Sequence, residues 1–127
     1  MKPKKQKRQT PNSKAWLRKA DAAWGAWVHA RYDRCAVGVG CAGRLEAHHL
    51  ISRAIRCTRH DPANGILLCS LHHKFSNRLS PHGAPLQFAA WLQEHQPETW
   101  AWVQANKWAS GKPDYESAYR QLTANPA

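Results

Sequence analysis

The sequence predicts an α+β chain, with a two-stranded antiparallel hairpin and a short helix at its centre, one helix before them and several after. Three observations carry that expectation. A short candidate strand, residues 45–49, and an apolar one, 66–69, flank a polar, arginine-bearing stretch at 52–62, which is the pattern of paired strands and their connecting loop. Large apolar residues recur at helical spacing upstream, within 14–34, and downstream, from 86 to 122. The chain has 127 residues, the size of one ordinary domain, so these helices must cover a hairpin too small to stand alone.

Residues 1–13 carry Lys2, Lys4, Lys5, Lys7 and Arg8 and end in Thr10-Pro11-Asn12-Ser13. Nothing there can be buried, and a basic tail disordered until bound is expected. No hydrophobic region follows these charges as it would in a secretory signal, and no run approaches the roughly 18 apolar residues of a membrane span. A soluble, cytoplasmic protein with no membrane partner is therefore expected. Ser13 can cap an amphipathic helix, within 14–34, on which Trp16, Leu17, Ala20, Ala23, Trp24, Trp27 and Val28 recur. A tryptophan stripe can stack on bases, but on one face of a helix it is more often core.

Residues 35–43, CAVGVGCAG, hold three glycines and predict a tight loop whose backbone turns sharply. After the hairpin, Ser70 can start a helix running through Leu71 and Phe75 to about Leu79, which Ser80-Pro81-His82-Gly83 ends. Residues 81–127 then read as a helical extension packed on the core: one helix around Phe88, Trp91 and Leu92, a second after Pro97, and a third after Pro113 that carries Tyr115, Tyr119 and Leu122.

The formal charge of +11 is uneven, with a net +8 in residues 1–34, a net +4 in 35–80 and a net −1 in 81–127. The positive field sits on the tail and the hairpin region, as it would to hold a polyanion such as DNA. Arg53, Arg56 and Arg59 lie in the connecting loop and are candidate phosphate contacts.

Four cysteines in a reducing compartment point to metal ligation or free thiols rather than disulfides. Cys35 with Cys41, and Cys69 with His72, are the pairs that a hairpin brings together, because residues before its first strand and after its second lie at one end. A structural zinc on these four is one reading, and buried free thiols are the other. Cys57 and His60 have similar spacing but belong to the opposite end.

Residues 46–77, EAHHLISRAIRCTRHDPANGILLCSLHHKFSN, set His48-His49, Asn64 and His73 in order on strand, loop and helix. This arrangement resembles the HNH endonuclease family over about residues 35–80, and in size and basic tail the chain is similar to small phage or prophage HNH proteins. The resemblance implies a ββα-metal core and metal-dependent hydrolysis of DNA phosphodiester bonds. It implies His49 as general base, with Asn64 holding it through the backbone and Glu46 supporting the catalytic group. It also implies His48 and His73 as ligands of one divalent ion. Asn77, four residues after His73 and so on the same helical face, is the implied further ligand, where nuclease colicins of the same family have His. An amide oxygen there favours Mg or Mn, with Ni and Zn as further candidates. His72 and His73 diverge by about 100° around a helix, so they can serve separate zinc and catalytic sites. The alternative from another class is a non-catalytic, zinc-containing DNA-binding module.

Overall fold

The computed structural model describes residues 9–124 and 127, so most of the basic tail, residues 1–8, lies outside the described residues. Helix α1 spans Lys14–Arg31, strands β1 and β2 span Leu45–His49 and Gly65–Cys69, and helices α2, α3 and α4 span Pro85–His95, Pro97–Asn106 and Tyr115–Ala124. A short 3-10 turn, Pro62–Asn64, leads into β2, and a single π-helical turn, Leu71–Phe75, follows it. The chain is thus α+β, with one two-stranded antiparallel sheet among the described residues.

Ser13 caps α1 as its sequence suggests, its hydroxyl accepting the Trp16 amide at 3.3 Å. The helix buries Ala20, Trp24 and Val28, and Trp24 and Val28 pack with Leu67 of β2 and Leu122 of α4. The stripe is core, and Trp24 also donates its indole N–H to the Asp61 carbonyl at 3.1 Å.

The strands pair from Leu45 opposite Cys69 to His49 opposite Gly65. All five β2 residues are buried, because the strand is covered on both faces. Leu67 meets α1, while Ile66 and Leu68 meet Phe88 and Leu92 of α2. A strand so enclosed reads as a continuous apolar run rather than an alternating one. Gly65 starts it because a Cβ at that position would collide with a Val28 methyl.

The helix expected to run from Ser70 to about Leu79 is corrected to one π-turn. The Ser76 amide donates to the Leu71 carbonyl at 2.7 Å, and Ser76 itself is extended. Its hydroxyl then accepts the amides of Arg78 and Leu79, at 3.2 and 2.9 Å. Serine thus offers the backbone a local partner that competes with helix continuation. Among the described residues no helix is long and apolar enough to cross a membrane.

Candidate metal centres

At the end of the hairpin where β1 begins and β2 ends, Cys35, Cys41, Cys69 and His72 converge, their ligand atoms all within 4.8 Å of one another. The glycine-rich loop makes this possible: Gly38, Gly40 and Gly43 all have positive φ, a backbone conformation that other residues avoid. At Gly43 a Cβ would also collide with the Ser70 side chain. His72 Nδ1 lies 3.7 Å from Cys35 Sγ and 3.3 Å from Cys69 Sγ. A tetrahedral zinc with Zn–S of about 2.3 Å and Zn–N of about 2.0 Å has ligand edges of about 3.5 to 3.8 Å. The two observed S···N spacings lie on either side of the S–N edge of about 3.5 Å. Burial, followed by the neighbouring thiols of Cys35 and Cys69, pushes the Cys41 thiol up to about 11, so crowding opposes its thiolate until a cation is present. Burial also holds His72 below its ordinary value and leaves a neutral imidazole able to ligate. The Cys3His group can hold a structural ion such as zinc.

Cys57 and His60 form no such group. Cys57 is exposed, while His60 Nε2 contacts Asp21 Oδ1 at 2.6 Å and its ring meets Tyr115 edge-on.

A second cluster lies on the β1 face opposite α1. Strand alternation puts Glu46 and His48 on that face and His49 on the other. His73, from the π-turn, faces both of the first two: Nδ1 lies 2.9 Å from Glu46 Oε1, and Nε2 lies 3.1 Å from His48 Nδ1. The carboxylate accepts the Nδ1 proton, which leaves the Nε2 lone pair directed at His48. The His73 hydrogen bond holds Glu46 below the usual carboxylate range against its partial burial, with help from Lys74 and Arg44. His48 is pushed down to about 3, first by burial and then by the neighbouring His73, His82 and His49. Two imidazole nitrogens at this separation suit a shared cation in place of the proton between them.

His82 joins this cluster, and the helix expected to bring Asn77 to it is absent. His48, His73 and His82 offer nitrogens within 4.8 Å of one another, whereas Asn77 is exposed beyond the end of the π-turn. The expectation for Asn77 relies on a helix that carries it round to the His73 face, and that helix stops at Phe75. In the sequence His82 reads as part of a helix terminator, and a histidine in a turn leaves no periodic signal.

His49 stacks on Trp24, with ring centroids 3.8 Å apart and planes 9° from parallel. Its Nε2 is buried with no hydrogen-bond partner. Burial pushes it down to about 4 against a hydrogen bond at the Arg59 backbone. Asn64 is completely buried and bonds the chain just beyond His49: its side chain accepts the Ile51 amide at 2.6 Å and donates to the Ile51 and Thr58 carbonyls. It holds the loop, while Trp24, which sequence reasoning assigns to the core alone, holds the His49 ring.

A cleft of about 740 Å³ is lined by residues that include His48, His49, Arg53, His73, His82 and Phe88. The three loop arginines divide. Arg53 is exposed at this cleft, and Arg56 lines a separate cavity near Lys112. Arg59 is turned into the fold: its guanidinium donates to both Asp21 oxygens, at 2.9 and 2.8 Å.

Compared with protein-family models, with curated proteins and with solved structures, the chain matches none of them.

Proposed function

We propose that the chain is a metal-dependent endonuclease that hydrolyses DNA phosphodiester bonds on a ββα-metal core of the HNH type. The observation that supports it most is the His73 ring held between Glu46 and His48, at 2.9 and 3.1 Å, in a cleft that also bears Arg53 and Lys74. His48 and His73 would hold a divalent ion there, and it would supply positive charge to a phosphodiester under attack. Glu46 fixes the His73 tautomer, and Arg53 and Lys74 position the phosphodiester at the cleft. His49 takes the proton of the attacking water. Its depressed pKa keeps the imidazole neutral at physiological pH, and no protein group competes for Nε2. Asn64 keeps the chain after His49 in place, and the net charge of +11 holds the polyanion.

One observation favours a second reading, a zinc-containing DNA-binding module without catalysis. His49 Nε2 is shut from solvent and its ring lies flat on Trp24, as a purely structural histidine would. Incubation of supercoiled plasmid with Mg, Mn, Ni or Zn, and with EDTA, separates the two. Nicked circles with metal and none with EDTA are expected. Plasmid that is retarded in a gel but stays intact with every ion would leave the binding module.

A further inference from the structure

We infer that His82 completes the ion site with His48 and His73, and that this three-imidazole site takes a borderline ion such as nickel, cobalt or zinc in preference to magnesium. The inference draws on the nuclease reading only for the purpose of the ion.

The loop that carries His82 is held in place by its own hydrogen bonds. Ser80 is fully buried, donates its hydroxyl to the Ser76 carbonyl at 2.6 Å and accepts the Gly83 amide at 2.8 Å. The His82 amide donates to the His73 carbonyl at 3.3 Å, so the backbones of two of the three residues are joined directly. Gly83 has no room for a side chain, since a Cβ would collide with the Ser76 carbonyl oxygen. The chain therefore doubles back over the π-turn and brings the His82 ring to 4.8 Å from that of His73 and 5.5 Å from that of His48, both edge-on.

The donor set then decides the ion. Nitrogens that share an ion at about 2.0 to 2.1 Å stand about 3.0 Å apart in octahedral geometry and about 3.4 Å apart in tetrahedral geometry. His48 Nδ1 and His73 Nε2, at 3.1 Å, lie within that window. His82, exposed on its loop, is the ring with freedom to close the third side. Imidazole suits nickel, zinc and other late first-row ions, whereas magnesium prefers oxygen ligands and its own waters. An amide oxygen from Asn77 would have tilted the site toward magnesium, and a third imidazole tilts it the other way. Three protein ligands leave positions open on the cleft side for water and phosphate.

The test is calorimetric titration of nickel into the full chain with its Cys3His group loaded with zinc, in millimolar magnesium. One strong nickel site per chain is expected. His82→Ala should weaken it by at least the roughly 10- to 100-fold that loss of a ligand's outer partner costs. Gly83→Ala, which displaces the loop without removing a ligand, should weaken it in the same direction, and Asn77→Ala should leave it unchanged. Retained zinc and an unchanged circular dichroism spectrum exclude unfolding as the cause. An unchanged affinity in His82→Ala, a weakened one in Asn77→Ala, or displacement of nickel by millimolar magnesium would each overturn the inference. The nuclease reading fails separately: nickel bound as expected with plasmid never cut sinks the activity and keeps the site, and plasmid cut by a chain whose nickel affinity His82→Ala leaves unchanged does the reverse.

Discussion

Adjacent residues of a strand point to opposite faces, and that alternation gives His48 and His49 different work. His48 faces His73 and the cleft side of the sheet, while His49 faces α1 and lies on Trp24. Under the proposed mechanism His49→Ala retains metal binding and fold but loses about 10² to 10⁴ in nicking rate, the usual worth of a general base. Added metal does not restore it. His48→Ala lowers metal affinity, so its nicking partly recovers as the ion concentration rises. A metal titration of nicking rate on both variants checks this, and rescue of His49→Ala without rescue of His48→Ala would reverse the two roles. The pair and Asn64 were legible in the sequence because their order and spacing are local. Trp24 and Asp21 were not legible as partners, since α1 meets the hairpin and its loop only through tertiary packing, which no spacing encodes.

At the scale of elements, β2 and α1 could be read because their patterns agree with their burial. The helix after β2 could not, because a single serine, Ser76, competes with it by accepting two amides. The loop between the strands is likewise more structural than its charge suggests. Asp21 of α1 binds Arg59 and His60 together, tying that loop to the helix on which His49 rests. Burial holds His60 below its ordinary value even though Asp21 pulls the other way. The unfolded chain therefore binds the proton first, and the contribution of His60 to stability is present above about pH 6.5 and lost as pH falls through that value toward the folded one. Asp21 adds loss of the same sign only near its own range: its burial is outweighed by Arg59 and His60, which hold its carboxyl low. Thermal unfolding should thus show a lower Tm at about pH 5.5 than at about pH 7.5, and His60→Gln should shrink that difference. A Tm that rises on acidification, or an equal difference in the variant, would contradict this assignment.

For the whole molecule, the distribution of charge says where duplex DNA would be held under the proposed function. Five of the basic residues fall in positions 1–8, outside the described structure. Residues just after them are already engaged in the fold: the Pro11 carbonyl accepts the Glu116 amide at 3.0 Å, joining this segment to α4, and Ser13 caps α1. The boundary between tail and domain therefore falls before Pro11, several residues earlier than polarity alone suggests. Removing residues 1–8 keeps the residues that make both hydrogen bonds and takes away five cationic side chains. Each phosphate that the tail no longer neutralises should reduce the slope of log K against log salt by about 0.9 on duplex DNA. With five cationic side chains removed, the slope should flatten by several such steps, and affinity should fall alike for all sequences, because binding to phosphates carries no base information. Nicking at saturating DNA should be unchanged, since the cleft keeps Arg53 and Lys74. Fluorescence anisotropy at several salt concentrations measures the slope. If it does not change, the counterions released on binding come from the domain itself, and Arg53 and Lys74 at the cleft, with Arg56 on the neighbouring surface, become the residues whose neutralisation should flatten it.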